Sequence, residues 1–145
     1  MVYWDTSALL KLYVGEPDSG FFLRLAENAD EQIATSAIAA VEVLCSLIRK
    51  ESSGALGRGG AHAIFSQFLT DSDAGRIVLV PYGPEVLVHA GRLARLAAGG
   101  PQPVLLRSLD AIHIATAMAA GAKTMVATDQ RLRQVAGAVK LRLLP

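Results

Sequence analysis

The sequence predicts an α/β fold: a mainly parallel sheet of about five strands, covered on both faces by helices. Three observations carry this expectation. Short apolar or β-branched runs recur along the chain, longer helical patterns fill the spaces between them, and several of those patterns follow a Thr, Ser or Asp able to cap free amides. Strands that alternate with helices cannot pair through tight hairpins, and the crossovers they need place the strands parallel, with helices on each face. With 145 residues, of which 52% are hydrophobic, the chain can bury one real core and is short for a second. Residues 1–145 are therefore expected to form a single domain.

In chain order, Val2-Tyr3-Trp4 reads as the first strand, followed by helices over Ser7 to Val14 and Ser19 to Asn28. Gln32-Ile33-Ala34 reads as the second strand, and Ser36 to Ser52 and Gly60 to Ser72 as helices. The third strand is expected at Ile77-Val78-Leu79-Val80, with helices over Pro84 to Ala98 and Leu109 to Ala120. Thr124-Met125-Val126, a helix from Gln130 to Gly137 and a last strand at Val139-Lys140-Leu141 complete the pattern. Two glycine-rich stretches, Ser53 to Gly60 and Gly99 to Pro103, read as connections between helices. The first lacks the Gly-Lys-Ser/Thr ending and the preceding strand of a phosphate-cradling loop.

Composition narrows the function. Fourteen basic against 13 acidic residues leave a formal charge of +1, so no overall positive field marks a non-specific nucleic-acid binder. An anionic substrate would have to be held locally, by a metal or a few arginines. The single cysteine, Cys45, lies in the apolar run Val41 to Ile48 and reads as a buried thiol of a reducing cytoplasm, not as a nucleophile. Asp5 and Lys11 interrupt the start of the chain, unlike a signal peptide. The longest uncharged runs, Gly59 to Thr70 and Ala111 to Ala122, fall short of the roughly 18 residues a membrane span needs. A soluble cytoplasmic protein is expected.

The acids are more informative, because an ionised carboxylate is rarely buried without a partner or a metal. Asp18, Glu27, Asp30, Glu31, Glu51, Asp71 and Asp73 lie at helix ends or in polar turns, where solvent suffices. Asp5, Glu42, Asp110 and Asp129 instead sit in apolar surroundings. Asp5 and Asp129 directly follow strands, at the end of an open α/β sheet where ligands bind. Glu42 and Asp110 would enter from the first turns of two helices. Four like charges in one cleft repel, and a divalent cation removes the conflict. Oxygen donors without a His or Cys set favour Mg²⁺ or Mn²⁺ over zinc, and the chemistry such a site suits is phosphodiester hydrolysis. Each acid also has a plainer reading: Asp5 and Asp129 as helix N-caps, Glu42 as the partner of Arg49, Asp110 as a favoured first-turn acid. Capping and ligation are compatible.

At these residues the chain resembles the PIN-domain nucleases and, within them, the VapC-type toxins of toxin-antitoxin pairs. Tyr3-Trp4-Asp5-Thr6-Ser7-Ala8-Leu9-Leu10-Lys11-Leu12-Tyr13-Val14 with Glu16-Pro17 is similar to the family's opening, in which the Asp is a metal ligand supported by its adjacent hydroxyl residues, here Thr6 and Ser7. Ser36 with Glu42 resembles the second acidic motif, Leu106 to Ala117 around Asp110 the third, and Thr128-Asp129-Gln130-Arg131-Leu132 the fourth. One departure is Ala127, two residues before the last acid, where the family often has Ser or Thr; the hydroxyl here is the adjacent Thr128.

The resemblance implies a PIN-like three-layer fold and a Mg²⁺- or Mn²⁺-dependent endoribonuclease. It further implies an RNA substrate, a VapB-like antitoxin partner and a homodimer. His113, three residues after Asp110, reads as a partly buried histidine satisfied by a neighbour in preference to a ligand or proton carrier. His62 and His89 read as surface residues. Arg107, Arg131 and Arg133 flank two of the acids and suit either RNA phosphates or ordinary solvated charge. Two other readings stand beside the nuclease: a non-catalytic RNA- or protein-binding module, and a phosphotransferase with Asp5 as nucleophile. The second usually wants an acid two residues on, where this chain has Ser7.

Overall fold

The computed structural model describes residues 1–28, 30–99 and 103–145. Its elements run β1 (Val2–Trp4), α1 (Thr6–Leu10), α2 (Ser19–Glu27), β2 (Ile33–Ser36), α3 (Ala39–Ser52), α4 (Gly60–Asp73) and β3 (Ile77–Val80). After these come α5 (Pro84–Gly99), α6 (Ser108–Ala119), β4 (Thr124–Val126), α7 (Gln130–Ala138) and β5 (Arg142–Leu144). The five strands form one sheet in the order β3-β2-β1-β4-β5, with every pair parallel.

Strand alternation sends successive side chains to opposite faces, and the two halves of the core follow from it. Val2 and Trp4 of β1 and Val126 of β4 pack with Leu9, Phe22, Val43, Leu47 and Phe68 under α1 to α4. Tyr3 and Met125 face the other way, into a second cluster with Val86, Leu93, Ile114 and Leu132 from α5, α6 and α7. Helices on both faces make the three-layer arrangement that the sequence predicts.

Four expectations need correction. The first helix ends at Leu10, not Val14: Lys11, Leu12 and Tyr13 bond back three residues instead of four, which tightens the chain into turns. Ser36 belongs to β2, where it pairs with Val80 and donates its backbone N–H to the Tyr3 hydroxyl, so α3 starts three residues later. The last strand lies at Arg142–Leu144, because α7 runs to Ala138 and Lys140 takes a left-handed conformation (φ 65°) before pairing can begin. Cys45 is exposed, not buried. Ala39, Val43 and Leu47 form the inward stripe of α3, and Cys45 falls between them on the outer side with Val41 and Ile48. The connection expected at Gly99 to Pro103 has its residues 100–102 outside the described ones.

Candidate active site

The four acids sort by the element that carries each. Asp5 follows β1, whose ladder its own N–H extends by donating to the Val126 carbonyl (3.0 Å). Because β1 and β4 are neighbours whose chains then proceed to opposite sides of the sheet, Asp5 and the segment after β4 meet at the point where strand order reverses. Glu42 and Asp110 stand in the first turns of α3 and α6, and Asp129 caps α7. All four line one open cleft of about 670 Å³, together with Ile38, Val41, Leu109 and Leu132 on its apolar walls and Arg49.

The plainer reading of two acids is correct alongside the cleft. Asp5 Oδ1 accepts the Ala8 N–H (2.8 Å) and Asp129 Oδ1 accepts those of Arg131 (2.9 Å) and Leu132 (3.1 Å), as N-caps do. The pairing of Glu42 with Arg49 is not found. The Arg49 guanidinium donates to the Ser46 hydroxyl, and Glu42 Oε2 accepts from Thr6 Oγ1 (2.5 Å) and His113 Nε2 (2.7 Å).

The hydroxyls beside Asp5 divide their work. Ser7 donates to Asp5 Oδ2 (2.8 Å), while Thr6 turns to Glu42, so only one of the pair supports Asp5 directly. With its proton committed to Asp5, Ser7 accepts the Thr128 hydroxyl (2.6 Å). Thr128 thus supports the first acid across the sheet, and Asp129 is held by backbone amides. Ala127, where a hydroxyl is often found, is fully buried in the second core cluster.

His113 is 3% exposed and fully engaged: Nδ1 meets the Tyr3 hydroxyl (2.7 Å) and Nε2 meets Glu42, with Thr6 Oγ1 at 3.4 Å. The expectation of a buried histidine satisfied by neighbours holds. His62 is exposed, but His89 is only partly so, and its Nδ1 is buried with no partner among the described residues. Arg107 is exposed one residue before α6, and Arg131 is exposed on α7. Arg133 is half-buried, and its Nη1 donates to the carbonyls of Ala127 and Leu144 (2.7 Å each), clamping the ends of β4 and β5.

Electrostatically the cleft is under strain. Burial pushes the Asp5 carboxyl above its ordinary range, against the pull of the Ala8 amide and the Ser7 hydroxyl. Burial and then the charge of Asp129 push Asp110 up, with Arg107 opposing. Burial also acts on Glu42, but His113 and the Thr6 hydroxyl outweigh it and leave that carboxyl below its usual value. Among the described residues none of the four acids is ion-paired to Lys or Arg. Nor do three His, Cys, Asp or Glu side chains there already close into a ligand group. The donor set nevertheless fits a hard cation such as Mg²⁺, which takes one or two carboxylates and keeps several waters.

Sequence reasoning missed the part played by Tyr3 and read Arg133 differently from what it does. Tyr3 was legible as strand core, and the signal available was its hydroxyl, which a buried tyrosine must satisfy. Arg133 was legible only as a charge near the acids, since its clamp on the Ala127 and Leu144 carbonyls depends on how α7 is turned against the two strand ends.

The family pattern of the PIN domain matches residues 2–138. Ribonuclease VapC46 of Mycobacterium tuberculosis is 31% identical over 137 residues, covering 93% of this chain and 89% of its own length. Ribonuclease VapC35 of the same species is 32% identical over 155 aligned positions, covering 99% and 96%. Among solved structures, VapBC2 from Rickettsia felis bound to a DNA fragment from its promoter superposes with a TM-score of 0.69. It is 19% identical and covers 99% of this chain and 98% of that one, a likeness of fold alone. The chain belongs to the PIN-domain family and, within it, is of the VapC type.

Proposed function

We propose that this chain is an endoribonuclease dependent on Mg²⁺ or Mn²⁺, acting as one PIN-like domain over residues 1–145 and serving as the toxin of a type II toxin-antitoxin pair. The observation that carries the reading is the cleft itself: four carboxylates from four separate elements line it, and among the described residues no Lys or Arg is paired to any of them. Relatives named as ribonucleases over nearly the whole chain support the substrate class.

Asp5, Glu42, Asp110 and Asp129 are the residues that would hold the cation. When bound, it would activate a water for in-line attack on the phosphodiester and offset charge on the leaving oxygen. Ser7 and Thr128 keep Asp5 oriented, and Thr6 and His113 keep Glu42 oriented. Arg107, exposed beside Asp110, is placed to meet an RNA phosphate.

A VapB-like antitoxin and a second copy of the chain are the proposed protein partners, in the cytoplasm. The surface supports protein contact: Val41 is 65% and Leu105 75% exposed, with Ile48, Leu109, Leu87 and Val88 also open to solvent. Among the described residues no helix is long and apolar enough to cross a membrane.

The test is cleavage of RNA by the purified chain with Mn²⁺. Cleavage should vanish with EDTA and with Asp110→Asn. RNA bound but never cut, by a chain indifferent to divalent ions, would favour the binding-module reading, for which the backbone-only support of Asp129 speaks. A trapped acyl-phosphate on Asp5 would favour phosphoryl transfer.

A further inference from the structure

Below the cleft, a line of hydrogen bonds connects four elements and ends on one oxygen of Glu42. It starts at the backbone N–H of Ser36 at the end of β2, which can only donate, and which reaches the Tyr3 hydroxyl on β1 at 3.0 Å. The Tyr3 oxygen accepts there, so its own proton is directed to His113 Nδ1, 2.7 Å away on α6. With Nδ1 accepting, the ring proton sits on Nε2 and is donated to Glu42 Oε2 on α3, again at 2.7 Å. For a neutral imidazole the reverse polarity is disfavoured. A proton on Nδ1 would aim two donors at the tyrosine oxygen and leave a lone pair on Nε2 facing a carboxylate oxygen.

We propose that Tyr3 and His113 are positioning residues for Glu42, holding its Oε2 so that Oε1 is the oxygen kept for the divalent cation; this rests on the cleft being a Mg²⁺ or Mn²⁺ site. The Thr6 hydroxyl supplies a second donor to Oε2, and among the described residues nothing in the protein donates to Oε1. A glutamate with free side-chain torsions would lose that freedom on binding an ion, whereas here it is already lost on folding. Tyr3 is wholly enclosed and His113 nearly so, which shields the line from water that would otherwise compete for each bond. Because His113 and Asp110 share the first turns of α6, the same helix carries one acid of the site and fixes another that belongs to α3.

The experiment is Mn²⁺ binding to the full chain, measured by calorimetry on the wild type, Tyr3→Phe, His113→Ala, His113→Gln and the Tyr3→Phe/His113→Ala double variant. Loss of a group that orients a ligand typically weakens metal affinity about 10–100-fold, and that range is expected for His113→Ala. Tyr3→Phe, which keeps the ring and its volume, should weaken binding in the same direction by less. It should add nothing in the His113→Ala background, because it acts through the imidazole. His113→Gln, whose amide places an N–H near the position of Nε2, should recover part of the loss. Wild-type Mn²⁺ affinity in folded Tyr3→Phe and His113→Ala overturns the proposal, as does additivity in the double variant. Should His113→Ala not fold, Tyr3→Phe alone decides, with undiminished affinity as the refuting result. A wild type that takes up no Mn²⁺ would overturn the metal reading itself, a different failure from unchanged variants of a binding chain.

Discussion

Asp110 shows how a single residue in this cleft is balanced between stability and use. Its carboxyl is raised by burial and by Asp129, so in the metal-free protein its charged form is disfavoured. Asp110→Asn should therefore raise the melting temperature of the chain in EDTA while removing the further rise expected of the wild type with Mn²⁺, since a ligand bound only by the folded state stabilises it. The sign with pH follows. A raised carboxyl binds its proton more readily folded than unfolded, so the advantage of the Asn variant is largest near neutral pH and shrinks as acid protonates Asp110 in the wild type. Thermal melts from neutral pH downward check this, and an advantage that grows with acid would contradict it. At this scale the sequence was legible where chemistry clashes with context: four acids in apolar stretches are visible as residue types alone. Arg133 and Cys45 were not, because whether a side chain meets a carbonyl or solvent depends on which way its helix is turned.

Among the elements, the junction of α7 and β5 is the instructive one. Lys140 N–H bonds to the Gly137 carbonyl (3.1 Å) and Leu141 N–H to that of Ala136 (3.3 Å), a helix ending that requires a left-handed residue and usually recruits glycine. Lys140 holds that conformation at φ 65° with a side chain that disfavours it. Lys140→Gly is expected to stabilise the chain by about 0.5–1 kcal/mol in urea unfolding, the relief of strain being partly offset by glycine's greater unfolded-state entropy. Arg133→Ala acts at the same junction with the opposite sign: it strips a charged donor from the carbonyls of Ala127 and Leu144. A loss of about 1.5–3 kcal/mol is expected. The cost should appear in Mn²⁺ affinity as well, because Ala127 leads directly into Asp129. The shift of β5 by three residues from its expected place has the same origin. Val139 and Leu141 look like strand residues, but the chain needs them to close a helix first.

The whole molecule is organised by its strand order. Placing β1 beside β4 sets the ends of two strands side by side at one edge of the layered core, and α3 and α6, on opposite faces of the sheet, each deliver an acid to that edge. Away from the cleft, ion pairs fasten the periphery. Glu16 is held below its usual carboxylate value by the hydrogen bonds of Lys11 and Lys50, and Asp71, despite burial, by Arg76, Tyr13 and Gln67. A lowered carboxyl contributes stability that is complete above its ordinary value and is lost as pH falls through the lower folded one. Stability should therefore drop below about pH 4. Glu16→Gln, which removes the shared partner of Lys11 and Lys50, should flatten that drop, and urea midpoints between pH 2 and pH 6 would measure it.

Local chemistry determined the order of elements, the layers and which four acids stand out as candidates, because hydrophobic period, capping residues and misplaced charge are written within a few residues of one another. Strand order and helix rotation, by contrast, arise from contacts between segments as distant as Tyr3 and His113, and these alone decided where Ser36 pairs, which face of α3 meets water, and which oxygen of Glu42 Thr6 and His113 engage. A carboxylate's neighbours in sequence can show that it is out of place, but its neighbours in space set what it is free to bind.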